Sequence, residues 1–262
     1  MSFTLATWNI NSVRLREGLV ARLMVEEQPD ILCLQECKSP VDAIPVAQFQ
    51  ALGYHHMVAR GQKGYNGVAI LSKLPIADAG GSDFANLGHA RHVAARLDNG
   101  VTIHNFYVPA GGDIPDRAQN DKFGQKLDFL TDMRDAFHGD RPSKTILVGD
   151  LNIAPREDDV WNHKQLLKIV SHTPIEVAHL AETQAVGGFV DVTRADIPEG
   201  KLYSWWSYRS PDWDAGDKGR RLDHIWATGD IAGAAHGSRI LRSVRGWEQP
   251  SDHTPVFATF DL

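Results

Sequence analysis

The sequence predicts a mixed α/β fold with largely antiparallel strand pairing, and three observations carry that prediction. Short runs rich in Val, Ile and Thr recur along the whole chain, at residues 3–8, 30–35, 67–71, 101–108, 145–148, 222–226 and 256–260. Two stretches repeat apolar residues every three or four positions. Some strand-like runs follow one another directly while others are separated by helical patterns, which a strict βαβ array would not produce.

The first helical stretch, 14–27, places Leu15, Leu19, Leu23 and Met24 on one face, and the second, 122–137, does the same with Phe123, Leu127, Leu130 and Met133. Both read as amphipathic helices packed on sheet. Gly- and Pro-bearing stretches at 80–88, 110–115 and 210–219 read as long surface loops, where functional residues tend to gather. No stretch has the composition of a linker, so one domain spanning 1–262 is expected.

With 42% apolar residues in 262, the chain has material for a substantial core. Its apolar runs are too short to cross a bilayer, and the Met1 end lacks a basic region followed by an apolar one, so no membrane association and no export are expected. Cys33 and Cys37 are the two cysteines, and Cys33 lies inside an apolar run. That placement suggests buried, reduced thiols and a cytoplasmic setting.

The net charge of −6 is unfavourable for a polyanionic partner, which is normally met by Lys and Arg on the binding face. Distribution matters more than the sum. Basic residues cluster at Arg60 and Lys63, at 218–221, and at Arg239, Arg242 and Arg245.

The chemistry is suggested where apolar strands end. Asn9 follows one run, Glu36 another, and Asp150 and Asn152 a third, while Asp252 and His253 precede the last strand. Asp150 and Asn152, two residues apart, project the same way from an extended backbone and can serve one ligand. Carboxylates and amides without a Cys/His cluster are hard oxygen donors suited to Mg²⁺ or Mn²⁺, which keep several waters and are completed by phosphate oxygens. Phosphoryl chemistry is the implied use. Asp223 sits among Leu222, Ile225 and Trp226, where a carboxylate needs a partner to offset its desolvation. Pairing with His253 would fix the imidazole tautomer and favour its charged form.

The segments TWNINSVR, LQECK, YVPAGG, GDLNIAP, SWWSYRS, GRRLDHI and PSDHTP, in this order, resemble the successive motifs of the endonuclease/exonuclease/phosphatase superfamily. Among its branches they are most similar to the exonuclease III family. The resemblance covers essentially the whole chain and implies a DNase I-like fold, a four-layer α/β sandwich of two packed mixed sheets flanked by helices. It further implies a metal-dependent DNA-repair nuclease that cuts 5′ to abasic sites, degrades double-stranded DNA 3′→5′ and removes 3′-blocking groups, acting as a monomer.

By position, Glu36 resembles the family's metal-binding glutamate, with Asn9 adjacent, Asp252 as a second ligand, and Asp150, Asn152 and His253 completing the set around the ion. Asp150 matches the residue that prepares the attacking water, Asn152 its positioning partner, Tyr107 the tyrosine near the scissile phosphate, and His253 with Asp223 the His-Asp pair. Trp205 and Leu222 match the wall of a small apolar pocket for an extruded deoxyribose, with Arg221 beside them as a substrate contact. Two departures from the family pattern stand out: Ala110 occupies a loop position often held by an amide, and Arg220 one often held by an aromatic residue.

Two other readings compete. A superfamily relative acting on a lipid, an inositol phosphate or another non-DNA ester would share the metal site, but the segments SWWSYRS and GRRLDHI favour the DNA-repair branch. A binding module that had lost its chemistry would lack a metal or base residue, whereas none of the core set is missing.

Overall fold

Residues 1–139 and 141–262 are described in a computed structural model, in which twelve strands form two six-stranded mixed sheets. One sheet contains β1 (Ser2–Asn9), β2 (Ile31–Gln35), β3 (His56–Arg60), β4 (Val68–Ser72), β11 (Ala235–Ile240) and β12 (Val256–Asp261), in the order β11-β12-β1-β2-β4-β3. The other contains β5 (Ile76–Gly80), β6 (His92–Leu97), β7 (Thr102–Tyr107), β8 (Thr145–Asp150), β9 (Phe189–Asp191) and β10 (Asp223–Thr228), in the order β5-β6-β7-β8-β10-β9.

Pairing is antiparallel except for β1 with β2 and β7 with β8. Parallel neighbours need a crossover, and here the two amphipathic stretches supply it. Helix α1 (Glu17–Glu26) leads from β1 to β2, α2 (Val46–Gln50) lies further along the first half, and α3 (Asp121–Ala136) leads from β7 to β8.

Three apolar layers follow from strand alternation. Phe3, Leu5, Ile31 and Cys33 of one sheet meet Ile103, Ile146, Val148 and Ile225 of the other in the central core. On the outer face of the first sheet, Val20, Leu23 and Met24 of α1 and Phe49 of α2 pack against Trp8, Leu32 and Leu34. On the outer face of the second, Phe123, Leu127 and Leu130 of α3 pack with Leu180 of a further helix against Phe106, Leu147 and Trp226. That helix, α5 (Pro174–Gly187), follows the short α4 (His163–Leu166). The result is the four-layer sandwich of the DNase I-like fold.

The strand alternation that fills the central core also builds the site. Toward one edge the inward-facing residues turn polar: buried Gln35 Nε2 donates to Thr7 Oγ1 (2.9 Å) and Asn105 Oδ1 (2.7 Å), and Asn105 Nδ2 donates across the sheets to the carbonyls of Leu34 and Ala69 (both 3.0 Å). One step further along β1 and β7 lie Asn9 and Tyr107, with Asp150 and Asp223 in register beside Tyr107 on β8 and β10.

Candidate active site

Strand register brings these residues together. Tyr107 lies opposite Asp150 across the parallel β7–β8 pair, and Asp150 lies opposite Asp223 across β8–β10, so three adjacent strands present three functional side chains in one row. In the facing sheet Asn9 and Gln35 are in register at the ends of β1 and β2, and Glu36 follows immediately. Gly149 permits the close β7–β8 approach, since at φ 136° a Cβ there would stand 1.9 Å from the Phe106 carbonyl oxygen.

Glu36 and Asn152 both adopt left-handed backbone, with φ of 51° and 54°. Such conformations carry strain in residues other than Gly and gather at functional sites. Glu36 is turned out of β2 into the cleft, where the Tyr107 hydroxyl donates to Oε1 and Lys38 Nζ stands 3.4 Å from Oε2.

Asp150 is the hub. Its Oδ2 accepts from Asn9 Nδ2 (2.8 Å) and Asn152 Nδ2 (3.1 Å), its Oδ1 accepts from the Asn152 backbone N–H (2.9 Å), and His253 Nε2 approaches Oδ2 to 3.6 Å. Burial raises the Asp150 pKa to about 7, assisted by the neighbouring Asp223 charge and opposed by His253. On the other side of the imidazole, Nδ1 contacts Asp223 Oδ2 at 2.8 Å, and Ser204 Oγ donates to the same oxygen at 2.6 Å. Burial alone would lower the His253 pKa, but the carboxylates of Asp223 and Asp150 raise it to about 10, which makes His253 a cation at neutral pH. The loop carrying it is pinned to β1: Ser251 Oγ donates to the Asn9 carbonyl (2.6 Å), and Trp8 Nε1 donates to the His253 carbonyl (3.0 Å).

Tyr107 is kept a neutral phenol by burial and by the charges of Glu36 and Asp150. The Arg91 guanidinium covers its ring at 4.5 Å and donates to its backbone carbonyl (3.1 Å).

Glu36, Tyr107, Asp150, Asn152 and His253 line a cleft of about 800 Å³, together with Asn9, Asp252, Trp205 and Leu222. Trp205 is half-buried in its wall, and its Nε1 donates to Asp252 Oδ2 (2.9 Å); Trp206, by contrast, is 1% exposed and belongs to the core.

Arg221 departs from expectation. It was expected to contact substrate, but it is fully buried and its guanidinium is consumed by Asp159 (2.8 and 2.9 Å) and Asp191 (2.7 Å), so it braces the scaffold behind the cleft. Arg220 does line the cleft. Its guanidinium lies 5.1 Å from the Trp205 ring centre and donates to Ser171 Oγ (2.7 Å) and the Val170 carbonyl (3.0 Å). The third basic cluster is also committed elsewhere: Arg239 pairs with Glu27, Arg242 with Asp214 and Asp217, and Arg245 is buried against the Trp206 carbonyl.

Three contributors escaped the sequence reading. Asn11 joins the two ends of the oxygen-donor set, accepting from Lys38 Nζ (2.7 Å) and donating to Asp252 Oδ1 (3.3 Å). Its position two residues after Asn9 was a usable signal. Lys38 and Ser204 both stand inside recognised motifs, but a partner more than fifteen residues away cannot be read from either.

The profile of the Endonuclease/Exonuclease/phosphatase family matches residues 6–253. The chain belongs to this family. Exodeoxyribonuclease III of Haemophilus influenzae is 30% identical over 267 residues, covering 97% of this chain and 98% of that one, which assigns the protein to the exonuclease III branch. An AP endonuclease from Archaeoglobus fulgidus has the same fold with a TM-score of 0.92, 32% identity, and coverage of 99% of this chain and 100% of that one. A 3′ phosphatase from Neisseria, solved with a product DNA hairpin, gives 0.87 and 33% over 99% and 100%. The protein is thus a DNA-repair nuclease, a hydrolase of phosphodiesters, in a metal-dependent family.

Among the described residues of this nuclease, two groups could hold a cation. Asp150, Asp223 and His253 offer ligand atoms all within 4.8 Å of one another. The cleft also presents the oxygens of Asn9, Glu36 and Asp252, with the Lys38 ammonium beside Glu36. The second set suits a hard divalent ion better, because it consists of oxygen donors, whereas in the first the imidazole Nδ1 is already taken by Asp223. Among the described residues no helix is long and apolar enough to cross a membrane.

Proposed function

We propose that this nuclease cleaves double-stranded DNA 5′ to abasic sites, degrades it 3′→5′ and removes 3′-blocking groups, with Mg²⁺ or Mn²⁺ held by Glu36, Asn9 and Asp252. The observation that carries the reading is the floor of the cleft: a buried carboxylate poised near neutral pH stands 3.6 Å from a histidine held as a cation. One group is suited to take a proton from water and the other to meet negative charge on phosphate.

In this reading Asp150 orients the attacking water and accepts its proton, as a general base with a pKa near the working pH does best. Asn152, tied to Asp150 through both its backbone and its side chain, fixes the carboxylate plane. His253, oriented by Asp223, directs Nε2–H toward the phosphoryl oxygens, where charge develops in the transition state. Tyr107, as a neutral phenol, can donate to the departing oxygen. A bound divalent cation would add Lewis-acid stabilisation of the phosphoryl charge.

Trp205 and Leu222, with Arg220 folded onto the indole, would form the wall against which a sugar without its base fits. The protein would work as a monomer, one domain over 1–262, and the two free, buried thiols of Cys33 and Cys37 support a reducing cytoplasm.

The test is a comparison of rates, with Mg²⁺, on duplexes bearing an abasic site, a 3′-phosphate or a plain recessed end. Equal indifference to all three would overturn the substrate assignment. Trp205→Ala should depress abasic cleavage relative to 3′-phosphate removal, and a uniform loss would return Trp205 to a purely structural role.

A further inference from the structure

A charged residue stands on the core face of α3. Lys126 lies between Phe123 and Leu130 on the side that packs the second sheet and is fully buried, as is its partner Glu176 of α5. Replacing such an ion pair by apolar residues of similar volume is commonly neutral or stabilising, so stability alone does not account for it.

Its hydrogen bonds are more informative. The three donors of the ammonium go to the carbonyl of Asn152 (2.9 Å), the carbonyl of Ala110 (3.3 Å) and Glu176 Oε1. Ala110 and Asn152 head the loops that leave β7 and β8, the two strands that carry Tyr107 and Asp150. One cation therefore clamps both. Gly111, at φ 90°, makes room for it, because a Cβ there would meet Lys126 Cδ at 2.9 Å.

Glu176 extends the connection to the opposite wall. Its carboxylate accepts from the backbone N–H of Ser171 (3.0 Å) and Thr173 (3.2 Å), and Ser171 Oγ receives Arg220, whose guanidinium lies on Trp205. The left-handed turn at Asn152, the loop after Tyr107 and the cleft wall thus converge on one buried charge pair.

We propose that Lys126 and Glu176 are positioning residues for the reaction, Lys126 by fixing the backbone of Asn152 and Glu176 by tying that cation to the cleft wall. The role rests on the assignment of Asn152 to the chemistry. Neither side chain touches the space where substrate would lie, so both act through other residues.

A double-mutant cycle tests it. Steady-state rates on an abasic duplex with Mg²⁺ are measured for Lys126→Met, Asn152→Ala and the combination, with Glu176→Gln and Lys126→Met/Glu176→Gln alongside and melting temperatures recorded for all. A displacement of the Asn152 turn by a fraction of an ångström should lower kcat by roughly 10- to 100-fold. KM should stay within about twofold, as expected when positioning rather than binding is lost. In the Asn152→Ala background Lys126→Met should cost less than it does in the parent, because the side-chain part of its route to Asp150 is gone and only the Asn152 backbone N–H remains. The charge-free pair Lys126→Met/Glu176→Gln should regain melting temperature without regaining rate.

Additive losses in the cycle would overturn the proposal, as would a rate that recovers in step with melting temperature or a charge-free pair that fails to fold. An Asn152→Ala variant with full activity would overturn the assignment of Asn152 itself and this proposal with it, and that outcome is distinguished by the single variant alone.

Discussion

Four groups approach the two oxygens of Asp150, yet burial still holds its pKa near 7, while the flanking carboxylates hold His253 near 10. For a reaction that needs Asp150 ionised and His253 protonated, kcat/KM should rise with pH through an acid limb and fall through an alkaline limb near pH 10. A divalent cation favours the carboxylate and draws the acid limb lower, so the alkaline limb is the diagnostic one. Asp223→Asn removes the main group raising the His253 pKa and should shift that limb toward neutral pH; an unmoved limb would dissociate His253 from it. Asp150→Asn should retain DNA binding and lose about 10²- to 10⁴-fold in rate. Glu36→Gln should raise the Mg²⁺ concentration needed for half-maximal rate, with partial recovery at high Mg²⁺, and an unchanged metal titration would remove Glu36 from the ion site. Strand-end acids and amides were legible in the sequence because an apolar run makes the polar residue at its end conspicuous. Arg221 was misread for the opposite reason: the acids that enclose it, Asp159 and Asp191, lie 62 and 30 residues away.

Strand ends are the elements that position the chemistry, and they are also where sequence and structure agree best. The seven strands read from Val-, Ile- and Thr-rich runs all lie inside the sheets, whereas five went unread: β3, β6 and β9, and the edge strands β5 and β11. In β5 and β11 the residues are mostly exposed or half-exposed at sheet edges, and each strand carries a register shift, so neither a continuous apolar run nor a clean alternation survives. Helix α5 was missed although its start is marked, since Thr173 caps it, Pro174 is its first residue and Glu176 closes a capping box. Helix α1 begins at Glu17 rather than 14, because Arg16 turns back to the Gln249 carbonyl (3.0 Å) and leaves the helical path. Register between β7 and β8 should be the most sensitive feature of the site. Gly149→Ala would drive a methyl group into the Phe106 carbonyl, and separating the strands would move Tyr107 and Asp150 together. We expect a loss of about 3 kcal/mol or more in stability, with activity falling below what the folded fraction accounts for. Normal denaturant midpoint and normal rate in that variant would show that the strand pair tolerates the strain.

For the molecule as a whole, the histidines built into the second sheet couple stability to pH. His104 stacks against His92, itself stacked on Phe106, and His224 accepts from Arg221 at Nδ1 and donates from Nε2 to the Ile153 carbonyl at the far end of the buried ion network. Desolvation lowers the pKa of His104 to about 4 and that of His224, with Arg221 assisting, to about 4 as well, against an ordinary value of 6.5. Below pH 6.5 the unfolded chain therefore binds protons at these two histidines that the folded chain refuses until about pH 4, and buried His92 adds to the difference in the same direction. Because the unfolded state holds more protons in that window, stability must rise with pH across it and fall on acidification. Each proton contributes about 1.4 kcal/mol per pH unit, so the two histidines together should remove on the order of 6 kcal/mol between pH 6.5 and 4. Above pH 6.5 their contribution is fully present and flat. Urea unfolding at half-unit pH intervals measures the slope directly, and His224→Asn, if it folds, should reduce it by one proton while leaving the His104 share. The opposing acid, Asp150, has its pKa raised and so favours the fold on acidification over part of the same window, which makes the difference between variant and parent slopes the decisive quantity. If the two slopes coincide between pH 4.5 and 6.5, His224 is not held neutral by the fold, and the acid sensitivity of this nuclease has another source.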